Sequence, residues 1–353
     1  SGSATVVDGS GTGTITDDDP APAVSIDDVS ATEGADLTFT VSLSGTTSAS
    51  PITLPVTFTD GSATGGGTDY ASASLTVTIP AGATSATFSV SSTQDLIDEN
   101  DETFTATLGT PTSGSATVVD GSGTGTITDD DPAPAVSIDD VSATEGADLT
   151  FTVSLSGTTS ASPITLPVTF TDGSATGGGT DYASASLTVT IPAGATSATF
   201  SVSSTQDLID ENDETFTATL GTPTSGSATV VDGSGTGTIT DDDPAPAVSI
   251  DDVSATEGAD LTFTVSLSGT TSASPITLPV TFTDGSATGG GTDYASASLT
   301  VTIPAGATSA TFSVSSTQDL IDENDETFTA TLGTPTSGSA TVVDGSGTGT
   351  ITD

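Results

Sequence analysis

The run Leu37-Thr38-Phe39-Thr40-Val41-Ser42-Leu43 sets an apolar side chain at every second position. Successive side chains of a strand point to opposite faces. A period of two therefore marks a strand with one face in a core and one in water. Working outward, Ile52, Leu54, Val56 and Phe58 repeat the pattern, as do Leu75, Val77 and Ile79. Ala86, Phe88 and Val90 follow, and then Phe104, Ala106 and Leu108. Val24 and Ile26 open the set, and Gly123 to Thr128, around Ile127, closes it. Thr and Val enrichment suits strands, and clusters of Gly, Pro, Asn and Asp between the runs suit turns. No stretch carries a helical period. Seven short strands between residues 23 and 131 predict an all-β, immunoglobulin-like Greek-key sandwich of two sheets.

That sandwich is one of several. The run Ser1-Gly2-Ser3-Ala4-Thr5-Val6-Val7-Asp8 recurs from Ser113, Ser225 and Ser337, a spacing of 112 residues with no substitution between copies. Solenoid units run about 20–50 residues, so a period of this size is a whole domain. The Pro-rich segment Asp129-Asp130-Asp131-Pro132-Ala133-Pro134 is the natural linker, and it recurs at Asp241 to Pro246 and Asp17 to Pro22. Tandem sandwiches are expected at 23–131, 135–243 and 247–353. Residues 1–19 are expected as the terminal strand of a preceding, truncated repeat. The chain has no Met and hence no natural start, which reads as a segment of something longer.

Composition removes most chemistry. The 353 residues include 47 acids and no Lys, Arg, His, Cys, Met or Trp. Nucleophilic triads lack their base, and zinc, haem and iron–sulfur sites lack their ligands. An unopposed negative charge repels nucleic acid and anionic membrane surfaces. No apolar run of about 20 residues crosses a bilayer, so membrane insertion is not expected. Paired carboxylates can hydrolyse glycosides, but with 4% aromatic residues and no implied cleft the chain is not read as an enzyme.

The acids are clustered. Glu33 follows the first strand, Asp69 follows Gly65-Gly66-Gly67-Thr68, and Asp95-Leu96-Ile97-Asp98-Glu99-Asn100-Asp101-Glu102 precedes the Phe104 strand. Asp129 to Asp131 closes the domain. In a Greek-key sandwich these four segments share one end. Carboxylates packed this densely repel by several kcal/mol at an effective dielectric of about 20. Without Lys or Arg, only a bound cation neutralises them locally. Hard oxygen ligands on flexible loops describe Ca2+, with magnesium second because it keeps more of its water. The Asp95 loop is not an EF-hand, since it lacks that loop's sixth-position Gly. Gly65 to Gly67 reads as a turn and Asp27-Asp28 as a solvated strand end. Asp8-Gly9 and its copy Asp120-Gly121 read as hairpin turns. Tyr70 is expected to pack in the interior, and Asp36 and Asp60 to face solvent.

These motifs resemble the Calx-beta domain. The matching segments are Val29-Ser30-Ala31-Thr32-Glu33-Gly34, Gly66-Gly67-Thr68-Asp69-Tyr70, Asp98-Glu99-Asn100-Asp101-Glu102-Thr103-Phe104 and Gly125-Thr126-Ile127-Thr128-Asp129-Asp130-Asp131. The resemblance implies a seven-stranded sandwich with calcium ligands at Glu33, Asp69, Asp95, Glu99, Glu102 and Asp129 to Asp131. With the clustering it makes Glu33, Asp69, Asp95, Asp98, Glu99, Glu102, Asp129, Asp130 and Asp131 the candidate ligands of the first repeat. In the second they are Glu145, Asp181, Asp207, Asp210, Glu211, Glu214, Asp241, Asp242 and Asp243. In the third they are Glu257, Asp293, Asp319, Asp322, Glu323, Glu326 and Asp353. Two departures stand out. Gln94 and Leu96 flank Asp95 where calcium-sensing members carry an acidic run, which implies fewer ions. The third repeat keeps only Asp353 of its triplet, which implies a weakened site.

Identical tandem copies add little to an enzyme but give length or avidity to a spacer or multivalent binder. The leading expectation is a set of calcium-stiffened extender repeats in a large secreted bacterial adhesin or extracellular matrix protein, at the cell surface. Its partners are calcium ions and the neighbouring repeats of the same chain. The alternative is a subunit of a cell-surface filament or sheath that associates laterally or end to end. A calcium sensor ranks third, because identical copies offer no distinct output element.

Overall fold

The computed structural model describes residues 1–353 and is built of strands without a helix. The first repeat contains β1 (Ala23–Ile26), β2 (Val29–Thr32), β3 (Asp36–Ser44), β4 (Ile52–Asp60) and β5 (Leu75–Ile79). Then come β6 (Ser85–Ser91), β7 (Ile97–Asp98), β8 (Glu102–Leu108), β9 (Thr117–Asp120) and β10 (Ser122–Thr128). One sheet has the order β6-β3-β1-β9 and the other β2-β10-β8-β4-β5. Each expected apolar run is a strand, and the all-β sandwich recurs in all three repeats.

The first and last strands each change sheet halfway. β1 runs parallel to β9 in one sheet, and β2 runs parallel to β10 in the other. Asp27 and Asp28 sit at the first crossing and fasten it. Asp27 Oδ1 accepts the Thr40 amide at 2.6 Å, and Asp28 Oδ1 accepts the Thr124 amide at 2.7 Å. They are thus more than a solvated strand end. The expected hairpin at Asp120-Gly121 is instead the second crossing, because β9 and β10 belong to different sheets. Alternation alone does not reveal such a switch, since each half keeps its own period of two.

Between the sheets lie 18 buried apolar residues per repeat, including Leu37, Phe39, Leu54, Tyr70, Phe88 and Phe104 in the first. The Tyr70 and Phe104 rings stack with centroids 4.0 Å apart. Tyr70 packs inside as expected, but its hydroxyl needs an acceptor there. It donates to Asp60 Oδ1 at 2.7 Å, and the Gly65 amide donates to the same oxygen at 2.9 Å. Asp36 accepts the Ser91 hydroxyl at 2.7 Å. Both acids, expected merely to face solvent, hold neighbouring segments. Gly125 interrupts β10 for a packing reason: a Cβ there would come 2.5 Å from the Phe104 ring.

Consecutive repeats touch through main chain. β7 pairs in parallel with Thr159–Ser160 of the second repeat. Thr159 and Ala161 donate their amides to the carbonyls of Leu96 and Asp98, both at 3.1 Å. The Thr158 hydroxyl donates to the linker carbonyl of Pro132 at 2.6 Å. The second joint repeats this with Ile209–Asp210 against Thr271–Ser272. Thr158 and Ser160 are buried, whereas Thr46 and Ser48, their counterparts in the first repeat, are only half-buried.

Residues 1–19, expected as a terminal strand, form no strand. The matching segment of the first repeat, β10, is held between β8 and β2. No such pair of strands precedes residues 1–19 in this chain, and Val6, Val7 and Ile15 lie in water.

Candidate metal centre

Four segments deliver carboxylates to one end of each sandwich. The β2–β10 ladder continues one residue past β2, where the Glu33 amide donates to the Thr128 carbonyl at 3.1 Å. This turns the Glu33 side chain inward, where it is 6% exposed. Gly34 then takes a left-handed turn (φ 75°) that leaves room for Gln94. Asp69 closes its own loop: its Oδ2 accepts the Thr64 amide at 2.5 Å, and its carbonyl accepts the Thr93 amide at 2.9 Å. The preceding glycines form the expected turn, with positive φ at Gly66 and Gly67. Asp95 Oδ1 accepts the Ile97 amide at 2.9 Å, which folds the acidic loop back on itself. Asp129 follows β10, and its amide donates to Asp101 Oδ1 at 3.2 Å.

The acids fall into two adjoining groups. In one, single oxygens of Glu33, Asp95 and Asp131 lie within 4.8 Å of one another, as do those of Glu145, Asp241 and Asp243 in the second repeat. In the other, oxygens of Asp181, Glu211 and Glu214 do the same. Their first-repeat counterparts Asp69, Glu99 and Glu102 feel one another's charge. Asp98 stands behind both groups on β7, within the field of Asp129 and Asp131. Asp130 and its counterpart Asp242 lie further out and accept the amides of Gln94 and Gln206 at 3.1 Å. Asp207 caps its loop as Asp95 does, accepting the Ile209 amide at 2.8 Å.

This crowding changes the acids. Burial first, then contact with Asp131 and the charge of Asp95, push the Glu33 carboxyl up to about 7. Burial and the facing Asp243 push Glu145 up to about 8. Glu102 and Glu214 rise to about 7, mainly through burial and then the charges of Asp69 and Glu99, or Asp181 and Glu211. Asp98, Glu99, Asp210, Glu211 and Asp241 are raised too, with burial the first cause in each. Glu102 Oε2, Asp131 Oδ2, Glu214 Oε2 and Asp243 Oδ2 are buried without a hydrogen-bond partner. Facing carboxylates bring no proton to each other when ionised, so these oxygens need a shared proton or a cation. All donors are hard oxygens, which fits Ca2+ or Mg2+ and no softer metal.

The third repeat is more open. Glu257, Asp293, Asp319, Glu323, Glu326 and Asp353 line one cavity of about 20 Å³, room for a single ion or water. Glu326 is raised by burial and then by Asp293. Its loop Asp319–Asp325 forms no strand, and Asp322 and Glu323 are exposed.

Gln94 and Asp101 are the functional side chains that sequence reading missed. Gln94 is the one side-chain amide in the nest, and its Nε2 donates to Glu33 Oε1 at 2.7 Å. A lone amide beside an otherwise acidic loop is the signal that marks it.

The Calx-beta domain family matches residues 17–131, 135–243 and 247–353, nearly the whole chain. The chain belongs to the Calx-beta family. Among solved structures, the CBD12 pair from CALX1.2 is 20% identical, with 57% of this chain and 80% of that chain covered and a TM-score of 0.29. The apo form of the Calx CBD1 domain is 22% identical, with 32% of this chain and 100% of that chain covered and a TM-score of 0.29. No curated protein matches the chain. The Calx-beta match places the four acidic segments inside each domain. The first matched span begins at Asp17 and so takes in the linker acids.

Proposed function

We propose that each Calx-beta repeat binds calcium at its acid-rich end and that the chain is a calcium-stiffened extender of a secreted adhesin or matrix protein. The observation that carries this reading is the set of buried, unpartnered oxygens at Glu102, Asp131, Glu214 and Asp243 in a chain without a cationic side chain. A divalent ion satisfies them at once. Glu33, Asp95, Asp129 and Asp131 supply one group of ligands and Asp69, Glu99 and Glu102 the other, with Asp98 and Asp130 at the margins.

Stiffening follows from where the ligands sit. Asp131 is the last residue before Pro132, and Asp98 belongs to the strand that pairs with the next repeat. Holding both at one ion ties the linker and the joint to the same sandwich. Ordering a linker residue otherwise costs roughly 1–2 kcal/mol. At extracellular-module affinities of about 10⁻⁴–10⁻³ M, millimolar calcium outside cells keeps the sites filled. Binding then stabilises each repeat by about RT ln(1 + [L]/Kd).

Calorimetric titration of the full chain with calcium and with magnesium, paired with X-ray scattering in calcium and in chelator, tests the proposal. The expected result is calcium binding in at least two sites and a longer maximum dimension in calcium. No heat of binding, or an unchanged dimension, overturns it.

A further inference from the structure

The two ends of the chain are complementary and each is unfinished. At the third repeat, the carbonyls of Leu320 and Asp322 have no partner, whereas those of Leu96, Asp98, Leu208 and Asp210 accept amides from the following repeat. Leu320 and Ile321 lie in water. Only Asp353 stands where the other repeats carry three aspartates, and no close carboxylate triad forms. At the first repeat, the amides of Thr47 and Ala49 have no partner, although Thr159, Ala161, Thr271 and Ala273 at the same positions all donate across a joint.

The missing parts are in the N-terminal segment. Residues 1–17 repeat Ser337 to Asp353 without a change, then run on into Asp18-Asp19-Pro20. In the third repeat this sequence is the last strand, Ser346–Thr352, with Ile351 only 7% exposed. At the N-terminus the same side chain, Ile15, is 99% exposed.

We propose that a second copy of this chain supplies that strand: residues 3–19 of one molecule replace Ser339–Asp353 in the third repeat of another. The exchange trades identical residues, so ladder and core contributions cancel. The surplus is what only the exchanged joint contains. Asp17, Asp18 and Asp19 complete the acidic end around Glu257 and Asp319. Thr47 and Ala49 of the incoming chain donate to Leu320 and Asp322, as at the two internal joints. Against this stands the lost freedom of two molecules, so assembly requires high concentration. It also requires opening of the last strand, which makes it slow. The contact is head to tail and does not close on itself, so it extends into an open filament. The contribution of the three aspartates rests on the calcium reading above; the strand exchange does not.

A disulfide trap tests it. Thr329 faces Thr348 across the ladder of the third repeat, and Thr12 is the counterpart of Thr348. The chain has no Cys, so Thr12→Cys with Thr329→Cys gives the only thiols. The full chain is concentrated, partly opened in urea, returned to buffer with oxidised glutathione, and run on a non-reducing gel. The double variant is expected to form a ladder, with at least ten-fold more material in trimers and larger species than either single variant. Adding Ile15→Asp, outside all three cores, removes the ladder without shifting the melting temperature. A ladder equally strong in calcium and chelator upholds the exchange and removes its link to calcium. No ladder in either buffer, or one that survives Ile15→Asp, overturns it, whatever the calcium titration gives.

Discussion

Gln94 Nε2 stands 2.7 Å from Glu33 Oε1 and is the only side-chain amide in a nest of carboxylates. Its second acceptor, Asp130 Oδ1, lies at 3.1 Å, so one neutral donor bridges the strand exit and the linker. The same bridge recurs from Gln206 to Glu145 and Asp242. Replacing Gln94, Gln206 and Gln318 with Glu removes a donor and adds a charge. Losing a hydrogen bond to a charged group costs about 1.5–3 kcal/mol. The metal-free melting temperature of the triple variant is expected to fall, while its rise on adding calcium grows. Scanning calorimetry in chelator and in calcium checks both. An unchanged calcium increment would show that the amide does not compete with the ion for these oxygens.

The raised carboxyls set a pH dependence. Glu33, Glu102 and Glu214 sit at about 7 and Glu145 at about 8 in the folded chain, against 4.5 for an unperturbed Glu. A folded pKa above the unfolded one gives stability that is fully present below the unfolded value and lost as pH rises through the folded one. These four groups therefore make the metal-free chain less stable on going from pH 4.5 to 8, with the loss concentrated between pH 6 and 8. Calcium competes with the same protons, so its affinity rises over that interval. Denaturant melts in chelator at stepped pH, repeated in calcium, separate the two trends. A metal-free chain whose stability climbs from pH 6 to 8 contradicts the placement of these acids.

The sandwich was legible because each strand from Leu37 to Leu108 keeps one apolar face, and a buried face enforces its register. The sheet changes at Asp27-Asp28 and at Gly121 were not, because a crossing alters which strands are neighbours without altering the alternation. The convergence of Glu33, Asp69, the Asp95 loop and the Asp129 triplet followed from strand order alone. The division into two groups did not, since it depends on side-chain directions in loops. Nor did the roles of Asp36 and Asp60, whose partners Ser91 and Tyr70 are distant or unremarkable in sequence. The joint between repeats was also hidden. Ile97 and Asp98 form a strand only where a following repeat offers Thr159 and Ser160, as the unpaired Ile321 and Asp322 show.

Tyr70→Phe, made with Tyr182→Phe and Tyr294→Phe, removes the buried hydroxyl that donates to Asp60, Asp172 or Asp284 at 2.7 Å. The stacked ring remains, so the loss is the charge-assisted bond, about 1.5–3 kcal/mol per repeat. The unfolding midpoint is expected to fall by the same amount in chelator and in calcium, leaving the calcium increment unaltered. Urea melts under both conditions measure this. A smaller increment would mean that the Tyr70 loop also sets the position of Asp69 for the metal.

The joint is tested by removing one amide. Ala161 is exposed, and its amide donates to the Asp98 carbonyl at 3.1 Å. Ala161→Pro deletes that donor, and Ser160 before it already has the extended backbone that a proline requires of its neighbour. The second sandwich should keep its stability to within about 0.5 kcal/mol, as a surface change away from the core does. The first joint should loosen, giving a broader distribution of maximum dimensions in scattering even with calcium present. Ala49→Pro supplies the control, because the same position in the first repeat donates to nothing. If both variants scatter alike in dilute solution, the main-chain pairing does not hold the repeats in line, and stiffness has to come from the linker and its ion alone.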